Sequence, residues 1–258
     1  MNRVLNRVAL ITGAGTGIGK ACALLYAMEG ASIILVGRRE ALLQEVASEV
    51  ADLGGEALPV KGDVTDQKSV DRVVKTSLDN FKRIHILINS AGIAQKIAPV
   101  HEIRDAEWEQ VIDTNLTGAF RMIRSLLPHF VEMRGGAIVN VSSTAGLTGV
   151  VSSAAYSVSK SGVIALTRCV ATEYGRLGIR CNCICPGTVA TPMTEGFLSD
   201  AERLKRVKSG NLLARIGHPL EIAQGILYLG SEESSFTTGA VLVVDGGRTV
   251  GLAGSTYE

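Results

Sequence analysis

Short apolar runs alternate with longer stretches of helical periodicity, and this alternation restricts the fold more than any other feature of the sequence. The runs cover 8–12, 32–36, 57–60, 85–89, 137–141, 179–185 and 241–244. Helical periodicity covers 17–29, 40–53, 66–80, 105–133, 154–177 and 219–230 between them. Runs this short and this apolar fit strands buried on both faces. Strand, helix, strand, repeated, predicts an α/β fold: a doubly wound parallel sheet of Rossmann type with helices on both faces. At 258 residues the expectation is one domain, 1–258.

The rhythm breaks once, between 187 and 217, where a strand and a helix are separated by a long excursion with Pro192, glycines and charges. Excursions at the carboxyl ends of parallel strands often serve as lids, so this one is expected to cover a substrate.

Charge and hydropathy exclude several classes. Lys and Arg number 26 against 25 Asp and Glu, with no basic block, which argues against a nucleic-acid partner. Apolar runs such as ASIILV are too short to cross a membrane, and MNRVLNRVALITG lacks a signal-peptide cleavage pattern. A cytoplasmic protein with no membrane partner is expected. Of the 5 cysteines, three form CNCIC at Cys181, Cys183 and Cys185. On a strand, alternate residues stand about 6.6 Å apart, which suits neither a disulfide nor a shared zinc ion. Buried reduced thiols are expected there, Cys22 and Cys169 are expected to fill core space in helices, and no metal site is expected.

Directly after the first run comes TGAGTGIG, Thr12 to Gly19, opening a helix. Glycines at such a junction permit a tight turn and bring a pyrophosphate against the helix amino terminus, whose N–H groups and dipole favour anions. The spacing is neither the usual G-x-G-x-x-G nor a P-loop. A plain strand–helix turn is the alternative, and the position between first strand and first helix favours the nucleotide. After the second run the chain reads LVGRRE. An NAD enzyme usually offers a carboxylate there, whereas Gly37 offers no side chain. Arg38 and Arg39 can hold a 2′-phosphate through charged bonds. This favours NADP(H), with NAD(H) possible if the arginines merely start a solvated helix.

The stretch YSVSK places Tyr156 and Lys160 four residues apart, on one face of a helix. By itself that pair is a weak signal. Together with TGAGTGIG, Asp63-Val64, NSAG at 89–92, NLTG at 115–118, Ser143, PGTVAT at 186–191 and VDGG, in that order, it makes the sequence resemble the short-chain dehydrogenase/reductase family in its shorter, single-domain branch. Two positions depart from the family's commonest pattern: NSAG stands for NNAG, and His85 for an acidic residue. His85 is expected to be a partly exposed strand residue without a functional role.

The resemblance implies a catalytic set of Asn115, Ser143, Tyr156 and Lys160. Tyr156 would be the general acid or base. Lys160 would favour its phenolate and hold the nicotinamide ribose, Ser143 would orient the carbonyl, and Asn115 would hold a water that links Lys160 to solvent. For the cofactor, it implies Gly13, Thr16, Gly17, Ile18 and Gly19 at the pyrophosphate and Asp63 and Val64 at the adenine. It places Asn89, Ala91 and Gly92 along the ribose, and Pro186, Gly187, Val189 and Thr191 at the carboxamide, with transfer of the pro-S hydride. The implied activity is oxidoreduction between a ketone and a secondary alcohol, of carbonyl reductase or 3-oxoacyl reductase type. NAD-linked alcohol, sugar or polyol oxidation and a non-catalytic nucleotide sensor are the alternatives. A related epimerase or dehydratase would need a longer chain. Segments 93–97, 144–153 and 193–213 are expected to wall the substrate pocket; mostly small or apolar, they mildly favour a compact or apolar ketone. Apolar residues on more than one face of the two long helices, and the family habit, imply a homotetramer.

Overall fold

A computed structural model describes residues 2–251. The seven strands are β1 (Val8–Thr12), β2 (Ser32–Gly37), β3 (Ala57–Lys61), β4 (Ile86–Asn89), β5 (Gly136–Val141), β6 (Ile179–Pro186) and β7 (Val241–Val244). They form one sheet in the order β3-β2-β1-β4-β5-β6-β7, and every pairing is parallel. The register sets Leu10 of β1 between Ile34 of β2 and Leu87 of β4. Every residue of β1 is buried, as the continuous VALIT requires.

Alternate strand residues feed two cores. Ala9 and Ile11 pack with helices α1 (Gly17–Met28), α2 (Glu40–Asp52) and α9 (Pro219–Gly230) on one face. Val8 and Leu10 pack on the other face with α3 (Gln67–Phe81), α5 (Gly118–Met133) and α6 (Ala154–Tyr174). The doubly wound architecture expected from the alternation is the one observed. Its strand order reverses between β1 and β4, so the loops after these two strands part and leave a crevice at their carboxyl ends.

Two local expectations, the single helix over 105–133 and the buried Cys169, are corrected, and the excursion is resolved into helices. The single helix over 105–133 is instead α4 (Asp105–Ile112), a π-helical turn at Asp113–Thr117, and α5. The extra residue turns Asn115 inward, and such bulges recur at functional sites. The excursion after β6 holds two helices, α7 (Pro192–Leu198) and α8 (Ala201–Ser209). Their starts carry readable signals: Pro192 in the first turn behind a Thr191 cap, and the Asp200 carboxylate accepting from Arg203 N–H. Cys169 is exposed, because it falls on the outer face of α6, while Cys22, Cys181, Cys183 and Cys185 are buried free thiols as expected. His85 precedes β4 and has a structural use, its Nδ1 accepting the Val8 N–H at 3.0 Å.

Candidate active site

The crevice at the carboxyl edge is a cleft of about 400 Å³. Thr12, the last residue of β1, ties its two sides together: its hydroxyl oxygen accepts the N–H groups of Ser90 and Ala91, both at 3.1 Å. The chain then turns at Gly13, where φ is +68° and a Cβ would stand 2.9 Å from the Ala91 backbone. Only glycine allows that approach. Thr16 precedes α1 in extended conformation without a side-chain cap bond, so the first N–H groups of α1 face the cleft free of a capping side chain.

Of the expected cofactor residues, Gly13, Thr16, Gly17, Ile18, Arg38, Arg39, Asp63, Val64, Ala91, Gly92, Pro186, Gly187, Val189 and Thr191 all line this one cleft, with Tyr156, Lys160 and Ser143. Two do not reach it. Gly19 lies beneath the turn, where a Cβ would stand 2.3 Å from the Gly13 carbonyl oxygen. Asn89 is buried and turned into the sheet, donating from Nδ2 to Asn140 Oδ1 at 2.9 Å. Arg38 and Arg39 are exposed at the end of β2, and among the described residues neither guanidinium has an ion-pair partner. The Asp63 carboxylate accepts the Thr65 N–H and hydroxyl at 2.9 and 2.8 Å. A tight glycine turn, an uncapped helix start and two unpaired cations fit a dinucleotide phosphate chain.

At the other end of the cleft, α6 sets Tyr156 and Lys160 on one face. The Lys160 ammonium lies 5.7 Å from the centre of the Tyr156 ring and donates to the Val141 carbonyl at 2.9 Å. Ser143 follows β5, and its Oγ accepts the Ala145 N–H at 3.1 Å. Ser142 is buried and structural, donating to the Lys160 carbonyl at 2.7 Å. Asn115 lies outside the cleft wall. Its Nδ2 donates to the Ile93 carbonyl at 3.0 Å and to Ser159 Oγ at 3.1 Å, and its Oδ1 accepts the Ile93 N–H at 2.8 Å.

Burial governs the protonation of this group. It pushes the Lys160 ammonium down to about 8, with the neighbouring Cys183 and Cys185 acting in the opposite sense. It also pushes the Tyr156 phenol up, against a lowering by the Ser143 hydroxyl. The sequence-based expectation was that the lysine would favour the phenolate. The directions seen in the protein alone follow from desolvation of both groups, and the Lys160 ammonium is directed to the Val141 carbonyl.

Gln95 falls in the expected wall segment 93–97, but sequence reasoning gave it no partner; its Oε1 accepts the Tyr156 N–H at 3.1 Å. No motif marks it, since its partner lies 61 residues away in the chain. Met193 and Thr194, at the start of the expected wall segment 193–213, line the cleft from α7.

A parallel sheet with a phosphate-fitting turn at its switch point and a Tyr–Lys pair facing the same cleft defines an NAD(P)-dependent oxidoreductase acting on CH–OH and C=O groups. A family model described as "Enoyl-(Acyl carrier protein) reductase" matches residues 13–249. The 3-oxoacyl-(acyl-carrier-protein) reductase of Thermotoga maritima is 39% identical over 96% of this chain and 100% of its own length. The cyclohexanol dehydrogenase of an Acinetobacter species is 38% identical over 96% of this chain and 97% of its own. The crystal structure of levodione reductase superposes with a TM-score of 0.93, at 34% identity over 95% of this chain and 98% of its own. The chain belongs to the short-chain dehydrogenase/reductase family.

Proposed function

We propose that the protein interconverts an apolar ketone and its secondary alcohol with NADP(H). The observation that carries the cofactor preference is the end of β2, where Gly37 is followed by two exposed arginines in the cleft wall that have no ion-pair partner among the described residues. A 2′-phosphate gains charged hydrogen bonds there, whereas NAD(H) would meet no carboxylate on this strand end for its ribose hydroxyls. When bound, the nicotinamide supplies or accepts the hydride.

Tyr156 passes the proton to or from the substrate oxygen, and the Ser143 hydroxyl holds that oxygen. Lys160 supplies positive charge behind the phenol. The segments after β4, β5 and β6 present Ile97, Leu147, Val150, Val151, Met193 and Leu213 as exposed apolar side chains, which supports an apolar ketone over a sugar. The name of the cyclohexanol dehydrogenase relative agrees with that choice.

Exposed Trp108, Phe120, Val131 and Val158 on α4, α5 and α6 support burial against further copies of the chain, as a homotetramer. Five free cysteines fit a reducing compartment, the cytoplasm.

The deciding experiment is a side-by-side fluorescence titration with NADPH and NADH of the wild type and Arg38→Ala, followed by turnover of cyclohexanone, a 3-oxoacyl thioester and a hexose. Tighter NADPH binding that the substitution erases, with turnover of cyclohexanone, supports the reading. Equal or better NADH binding overturns the cofactor assignment, and turnover of the hexose alone overturns the substrate class.

A further inference from the structure

The helix that carries Tyr156 and Lys160 begins without a cap of its own. Ser153 occupies the capping position with φ −136° and ψ 36°, and its side chain makes no capping bond. An α-helix leaves its first N–H groups without intrahelical partners, and an unmet donor in a buried setting costs stability and order. Tyr156 is the third residue of α6, so its backbone N–H is one of these donors. The acceptor that meets it is the Gln95 side chain, from the loop after β4.

The same loop is anchored at three points within six residues. Ile93 is gripped through both backbone groups by Asn115. Gln95 accepts the Tyr156 N–H and donates weakly, at 3.4 Å, to the Ser152 carbonyl. The Ala98 N–H donates to that same carbonyl at 3.2 Å. Ser152 reaches this position in the left-handed region, at φ 58°, where a non-glycine residue is strained. Between the anchors Ala94, Lys96 and Ile97 stay exposed, on the segment expected to meet substrate.

From this arrangement we infer that Gln95 is a positioning residue: it caps the catalytic helix in trans, so that the 93–98 loop and Tyr156 move as one unit. The inference rests on the assignment of Tyr156 to proton transfer. A substrate pressing on the loop is thereby felt at the tyrosine backbone, and loosening the cap displaces the phenol relative to the carbonyl. Small misplacements of a proton-transfer group lower turnover more than binding.

The test compares Gln95→Met, which keeps length and removes the acceptor, with Gln95→Glu, which keeps an acceptor facing the helix amino terminus. Gln95→Met is expected to lower kcat about tenfold with KM and the NADPH Kd within about twofold, and Gln95→Glu to recover most of that loss. Hydrogen exchange at the amides of 154–157 is expected to quicken in Gln95→Met and return in Gln95→Glu. A Met variant with unchanged kcat, a rise in KM alone, or a Glu variant as impaired as the Met variant overturns the inference. If the wild type turns over no ketone, the functional reading fails by itself. The exchange comparison, which needs no turnover, then still decides whether Gln95 caps the helix, and unchanged exchange in Gln95→Met overturns the inference.

Discussion

Asn115 and Ile93 are joined by two hydrogen bonds of opposite sense, the side-chain amide of one reading both backbone groups of the other at 2.8 and 3.0 Å. The asparagine reaches the loop because the π-helical turn at Asp113–Thr117 rotates it out of the α-helical register. Replacement by leucine strands a donor and an acceptor of Ile93, while the Ser159 hydroxyl keeps its bond to the Tyr156 carbonyl at 2.7 Å. Each unmet buried group costs about 1–3 kcal/mol, so Asn115→Leu is expected to lose at least roughly 2 kcal/mol. Urea unfolding monitored by circular dichroism reads this loss, and kcat is expected to fall with it.

Lys160 makes stability rise with pH over a definite window. Its folded pKa of about 8 lies below the ordinary 10.5, so between these values the unfolded chain binds the proton that the folded chain has released. The slope of unfolding free energy with pH is then positive. The cost of burying the ammonium is fully present below about 8 and disappears as pH climbs toward 10.5. The whole window is worth roughly 3 kcal/mol. Lys160→Met should remove that slope, so the stability of the wild type relative to the variant should rise between pH 7.5 and 9.5 in parallel urea titrations.

Gly19 tests whether the turn, rather than direct contact, sets cofactor affinity. It does not line the cleft, yet an added Cβ would press on the Gly13 carbonyl at 2.3 Å and force the turn open. Gly19→Ala is expected to weaken NADPH binding at least about tenfold, since the phosphate-facing N–H groups are displaced together. Gly135→Ala, where a Cβ meets nothing within 4 Å, should bind as the wild type does. Fluorescence titration of the two variants makes the comparison.

Strands, their connecting helices and the Tyr156–Lys160 face were legible because each is a local period, and a two-sided buried strand leaves an unbroken apolar run. The Arg38–Arg39 pair was legible because an acid was absent from the end of a strand. Asn115 was legible as a residue, but its π-helical turn was not, since the apolar pattern of 105–133 continues across the break and the cause is a loop 22 residues upstream. The bond between Gln95 and Tyr156 and the inward turn of Asn89 escaped for the same reason: the partners, Tyr156 and Asn140, are set by the topology of the sheet. The helices of 192–209 were in reach, through Thr191-Pro192 and Asp200, and were passed over because the segment's glycines and charges read as loop.

Thiol chemistry separates the two faces of α6. Cys169 stands on the outer face and is exposed, while Cys22 in α1 and the three cysteines of β6 are enclosed by the cores on either side of the sheet. A thiol must reach the reagent and ionise before it reacts, and burial opposes both steps; it pushes Cys181 up to about 12 and raises Cys22 as well. Cys169 lies about three turns from Val158 on the face proposed to meet another copy, so with Ellman's reagent at pH 8 the native protein should release at most one equivalent of thionitrobenzoate promptly, and a Cys169→Ser variant none. Both should release their full complement in guanidinium chloride, 5 for the wild type. Prompt release of more than one equivalent from the native wild type would mean that the carboxyl end of β6, next to Lys160, opens to solvent far more readily than its packing allows.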